Sequence, residues 1–266
     1  MPTFLVTNDD GAASPMLKML VEQLTPLGHV RVVVPTSEQS WKGKGMTRFG
    51  SVQANPFNEL GVEGFTVTGT PSDCVNLGVH NLFDSPPDWV ISGINIGINA
   101  GLAFLLNSGT VGAAMEGTLQ GIPAVAYSQH VRHRAYQEWS TKGQITDEGA
   151  LAEMQAAADW CGRIQRVITA KGMPPNTELM SVNLPYKPTP QTNIRWAGLL
   201  NNSYGQLFQK NNEGDGAEFH HSYRGEFRRE GVGDADWDVV HGGEISVTPL
   251  TLRAFSPSID IPYTFD

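Results

Sequence analysis

The stretch Phe4-Leu5-Val6-Thr7-Asn8-Asp9-Asp10-Gly11 is an apolar run that ends in two adjacent carboxylates and a glycine. Apolar and β-branched residues in a run of this length predict a buried strand, so the acids stand where that strand leaves its sheet. In open α/β sheets that edge is where ligands bind. Neighbouring carboxylates repel each other, and a bound cation relieves the repulsion. Asn, Asp and Gly suit an Asx-turn or a helix cap equally well, and taken alone the stretch leaves both readings open.

Working outward, strand-like and helix-like runs alternate. Ser14 and Pro15 predict an N-cap and a first helical residue, with Leu17, Leu20, Val21 and Leu24 following at helical spacing. Val30 to Pro35 is a second strand, Trp89 to Ile94 a later one, and Ile122 to Ser128 another. A small-residue helix is expected from about Gly109 to Leu119, and a long one from Asp147 to Ala170 with an acidic start and Arg163 and Arg166 near its end. Ser181 to Pro185 closes the core as a short strand. The alternation implies an α/β fold with a mostly parallel sheet and helices on both faces.

Composition narrows the function classes. The 266 residues carry a formal net charge of -9, which disfavours duplex nucleic acid as a partner. No run of about 20 apolar residues exists to span a membrane, and no basic-then-apolar leader is visible, so a cytoplasmic location is the expectation. Two cysteines far apart, Cys74 and Cys161, argue against a disulfide framework or a thiolate zinc site. The histidines show no ligand spacing. From Asn201 to Asp238 the chain is polar and glycine-rich, with a turn expected at Asn211 to Gly216. Such a segment is read as an arm that pairs with another subunit, a disordered loop being the alternative. Glu244 to Leu250 is then a strand stopped by Pro249.

Four loops follow strands. Beside Asn8-Asp9-Asp10-Gly11 these are Thr36 to Gly45, Ser92 to Gly101, and Asn107 to Ala114. Asn95 is a neutral oxygen donor of the kind that joins carboxylates around a hard cation. Gly93, Gly97 and Gly101 lie four apart, unlike the dinucleotide fingerprint. The fourth loop enters a helix whose free amides attract phosphate, although an ordinary Ser or Thr cap explains it too.

The strings Thr7 to Gly11, Gly69-Thr70-Pro71-Ser72-Asp73-Cys74-Val75, Ser92-Gly93-Ile94-Asn95 with Gly97 and Asn99, and Ser108 to Ala114 resemble the SurE family, the survival-protein-E nucleotidases, in order and spacing. The resemblance covers nearly the whole chain as a single domain, 1–266, with a core to about 185 and a C-terminal extension from about 186. It implies a Rossmann-like three-layer core and an extended arm that makes a homodimer or homotetramer. It also implies a metal-dependent phosphomonoesterase for nucleoside 5′- and 3′-monophosphates. Carried over, the catalytic residues are Asp9 and Asp10; Asp9, Asp10, Ser40 and Asn95 hold a divalent metal, magnesium or manganese. Asn8, Lys44, Asn99, Ser108, Gly109 and Thr110 stand on the substrate and phosphate side. The resemblance assigns Asp73 no catalytic role, and it is expected to be a helix N-terminal acid.

The sequence departs from the family pattern where Ser40 is followed by Trp41 instead of glycine, where Lys44 stands for a usual histidine, and where Asn107 stands for a usual tyrosine. Lys44 is expected near the phosphate. Trp160 and Trp237 are expected to be packing aromatics, and His220 and His221 surface or subunit contacts. A non-catalytic phosphate receiver or nucleotide sensor is the alternative function.

Overall fold

In the computed structural model the predicted first strand, β1 (Thr3–Thr7), lies between two parallel neighbours inside a nine-stranded sheet. The structure describes residues 1–211, 218–222, 227–230 and 233–255. Along the chain, β1 is followed by α1 (Pro15–Leu24), β2 (His29–Pro35), β3 (Ala54–Pro56), β4 (Glu63–Val67), α2 (Pro71–His80) and β5 (Trp89–Ile96). Next come α3 (Leu102–Asn107), α4 (Gly109–Leu119), β6 (Ala124–Gln129), α5 (His133–Lys142), α6 (Glu148–Lys171) and β7 (Leu179–Leu184). The remainder comprises β8 (Ile194–Trp196), β9 (Asn202–Ser203), β10 (Phe208–Asn211), β11 (Glu218–His221), β12 (Arg228–Arg229), α7 (Asp236–His241) and β13 (Ile245–Leu250).

The sheet order is β3-β4-β2-β1-β5-β6-β7-β13-β8. From β4 to β7 every pairing is parallel, as buried apolar runs joined by helices require. Alternation along β1 makes the layers. Phe4 and Val6 pack into a cluster with Leu17 and Leu20 of α1 and Met154 and Cys161 of α6. Leu5 points the other way, to Cys74 and Val75 of α2 and Val111 and Ala113 of α4. The result is a three-layer α/β fold with β1 near its centre.

Two details correct the sequence expectations. Ser14 and Pro15 take the N-cap and first helical positions of α1 as expected, but the Ser14 side chain makes no cap bond. Strand β7 does not close the sheet, because β13 pairs antiparallel on it and β8 lies beyond. The core therefore takes in segments past residue 185. Pro249 sits within β13, opposite Met180, where it costs no ladder bond because β8 pairs only with Ile245 to Val247. By contrast Asp73 behaves as expected, closing a capping box with Thr70 at the start of α2 and also accepting from the backbone and hydroxyl of Thr47.

The C-terminal segment forms two small antiparallel pairs, β10 with β11 and β9 with β12, before α7 buries Val239 and Val240 back on the core. Most of the turn expected at Asn211 to Gly216 lies outside the described residues. Among the described residues no helix is long and apolar enough to cross a membrane.

Candidate functional site

At the end of β1 the two readings of the first loop prove to belong to different residues. The side chain of Asn8, fully buried, accepts from the Gly11 amide at 3.1 Å and donates to the Gly11 carbonyl at 2.9 Å. That Asx bond fixes the turn. Asp9 and Asp10 are thereby held at the sheet edge, 3% and 7% exposed, lining a cleft of about 990 Å³.

Each carboxylate is gripped by neutral donors. Asp9 Oδ1 accepts from Thr110 Oγ1 at 2.5 Å, while Asp10 accepts from the Ile96 amide and from Trp139 Nε1, both at 3.2 Å. Burial pushes the Asp9 carboxyl above its usual range against the lowering effect of the Thr110 bond. Burial, and after it the charge of Asp9, does the same to Asp10. Glu38, on the same cleft, adds to the repulsion at both. The arrangement favours a cation. Among the described residues no three His, Cys, Asp or Glu side chains cluster as metal ligands. A hard cation here would have to draw on neutral oxygens as well as the two carboxylates.

The turn after β5 offers such oxygens. Gly93 adopts a φ of +126°, and a Cβ there would stand 2.3 Å from the Tyr127 carbonyl oxygen, so the strand can bend toward the cleft only with glycine at that position. Beyond the bend Asn95 spends its amide nitrogen on the Gly97 carbonyl at 2.8 Å, turning Oδ1 away from that bond. Asn99 is 7% exposed; its amide donates to Ser128 Oγ at 2.8 Å and its backbone to Asn183 at 2.8 Å. Both asparagines line the cleft.

The fourth loop delivers the start of α4 to the same edge. Ser108 caps the helix by accepting from the Val111 amide at 3.1 Å and also faces the cleft. Gly109 lets the helix approach: a Cβ there would lie 2.8 Å from the Asp9 Cβ and 2.9 Å from its Oδ2. Asp9 thus sits against a helix N-terminus, where the dipole favours negative charge. The second loop is tied down by the Gln39 amide on the Asp9 carbonyl and the Gly43 amide on the Asn107 carbonyl, at 2.8 and 2.9 Å. Ser40 lines the cleft, exposed.

Of the residues singled out in the sequence, Asp9, Asp10, Ser40, Asn95, Asn99 and Ser108 line one cleft, with Gly109 and Thr110 packed behind Asp9. Asn8 and Lys44 do not join them. Asn8 is consumed by its own turn. The Lys44 ammonium lies 2.6 Å from Glu116, a carboxylate 3% exposed that also accepts from Asn76 and Gln120. A buried acid on α4 needs a counter-charge, and Lys44 supplies it. Residues that the sequence reading missed include Glu38, Trp41, Phe104, Tyr136, Trp139 and His221, all of which line the cleft. Trp41 carried a signal as a departure beside Ser40; Trp139 carried none, since α5 reaches Asp10 only through the fold.

A family model described as "Survival protein SurE" matches residues 4–206. A curated "5'-nucleotidase SurE" of Methanocella arvoryzae is 34% identical over 250 residues, 93% of this chain and 91% of that protein. A "5'-nucleotidase SurE 1" of Thermus thermophilus is 43% identical over 186 residues, 68% of this chain and 65% of that one. Among solved structures, the SurE protein from Aquifex aeolicus superposes with a TM-score of 0.71 at 29% identity, covering 94% of this chain and 93% of that chain.

Proposed function

Since this chain belongs to the SurE family, we propose that its cleft hydrolyses nucleoside monophosphates, 5′-esters foremost and 3′-esters as second substrates, to nucleoside and phosphate. The observation that carries this reading is the pair Asp9 and Asp10, buried, adjacent and held by neutral donors at the mouth of a cleft that also receives the N-terminus of α4. The donor set is all oxygen, which fits magnesium or manganese and disfavours a softer ion. Asp9, Asp10, Ser40 and Asn95 are the residues that would hold it. When bound, such an ion neutralises charge on the phosphate oxygens and acidifies water.

The chain's own residues do the rest. Thr110 and the start of α4 fix the direction of Asp9, while Trp139 and the Ile96 amide fix Asp10, so neither carboxylate has to reorganise as charge shifts. Ser108 and Asn99 stand where a phosphate oxygen would be oriented. Most phosphoryl-transfer transition states are loose, and placement of this kind supplies most of the rate. The protein is proposed to act as a homodimer or homotetramer through its C-terminal arm.

Phosphate release from a nucleotide panel tests the reading. Excess chelator is expected to abolish turnover and added magnesium or manganese to restore it. Asp10→Asn should lower kcat by about a hundredfold or more while circular dichroism is unchanged. Full activity in chelator overturns the metal assignment, and tight nucleotide binding without phosphate release would make the protein a sensor.

A further inference from the structure

The cleft has a second wall that the phosphate chemistry does not use. Trp41 follows Ser40 directly, lines the cleft half-buried, and holds a φ of +61°, a backbone region that non-glycine residues rarely adopt. It is held there from both sides, by the Gln39 amide on Asp9 and the Gly43 amide on Asn107. Among the described residues its indole meets His221 of β11 at 4.8 Å, Tyr204 after β9 at 5.6 Å, and Phe104 of α3 at 6.4 Å between centroids. Asn107 donates to the Tyr204 hydroxyl, anchoring that ring in turn. Phe104 and His221 also line the cleft.

A strained backbone that places a large aromatic beside a reaction centre points to a binding role. We propose that Trp41, backed by Phe104 and His221, forms an aromatic wall that stacks the base of the substrate and sets a preference for nucleotide over aliphatic phosphomonoesters. The inference rests on the nucleotidase reading and names the residue that gives it specificity. The aromatic face needs no particular hydrogen-bond pattern, so the preference should be for a planar leaving group more than for one base.

The test uses the full chain and the variants Trp41→Gly, which suits the positive φ, and Trp41→Phe, which keeps a ring. The ratio of kcat/KM for AMP to that for glycerol phosphate should fall about tenfold in Trp41→Gly, through KM, and be largely retained in Trp41→Phe. Calorimetric titration with adenosine, which has no phosphate, should show binding to the parent and a similar loss in Trp41→Gly. An unchanged ratio together with unchanged adenosine binding overturns the wall, as does an equal loss on both esters. A parent that binds adenosine in a Trp41-dependent way but releases no phosphate from either ester leaves the wall standing and overturns the nucleotidase reading instead.

Discussion

The edge of the sheet that carries Asp9 and Asp10 and the C-terminal strand pair that carries His221 border the same cleft, yet they are built in opposite ways. From Thr7 to Asp10 every residue is at most 7% exposed, and Asp9 and Asp10 are bonded to four other parts of the chain: Gln39, Ile96, Thr110 and Trp139. Among the described residues β10 and β11 pair only with each other, and Phe208 and Phe219 stand 54% and 56% exposed. Charge chemistry needs groups that cannot move, and only a sheet buried on both faces over-determines them. An exposed antiparallel pair offers surface at little cost to the core.

The contrast breaks first at the arm. Replacing residues 205–233 by a short linker should produce a smaller species in light scattering, the largest change expected, because the exposed hairpin is what a second subunit would cover. Metal-dependent hydrolysis of glycerol phosphate should persist, since none of the residues gripping Asp9 or Asp10 is removed. An unchanged mass would reject the assembly role.

Gly109→Ala sharpens the other side of the comparison. The new methyl would press on Asp9 at 2.8 Å and on the Gln39 carbonyl oxygen at 3.2 Å, so either the carboxylate or the helix must shift. A displacement of that kind is expected to cost roughly ten- to a hundredfold in kcat/KM on every phosphomonoester. Equal rates in parent and variant would show that the edge tolerates movement.

The smallest effect concerns Lys44 and reads stability. Burial alone would raise the Glu116 carboxyl, but the bonds from Lys44, Asn76 and Gln120 outweigh it and hold the group below its ordinary value. A carboxyl lowered in the folded state lends stability that is present above the unfolded value, about 4.3, and is lost as pH falls through the folded one. Lys44→Met should cost about 1–2 kcal/mol, less than a fully buried pair because Asn76 and Gln120 remain. Glu116→Gln should flatten the acid limb of Tm against pH below about 4.3. A variant Lys44→Met with unaltered Tm and a raised KM would return the lysine to the phosphate side.

Much of this was readable from residue patterns. The β1, β2, β5 and β6 runs are apolar and β-branched, and α4 and α6 begin and end within a residue or two of expectation, because periodicity and capping are local. Local patterns misled where a distant partner intervened. Ser14 takes the N-cap position as expected but its hydroxyl makes no cap bond; Ser181 to Pro185 looked like the strand that closes the core, yet β13 arrives from sixty residues on to cover it. Lys44 was read as a residue of the phosphate side; the burial of Glu116, visible only once α4 packs, gives its ammonium a carboxylate partner that the sequence did not show.

The sequence by itself determined the alternation that makes a parallel sheet, the two acids at the end of its first strand and the oxygen donors at the ends of others, since each depends on residues close along the chain. Only the tertiary structure decided how those donors are aimed. That Asp10 is held by an indole 129 residues away, that Asp9 touches a glycine 100 residues away, and that Trp41 meets rings from three separate elements are matters of long-range packing, in which the partner is chosen by burial and shape and leaves no periodic trace in the sequence.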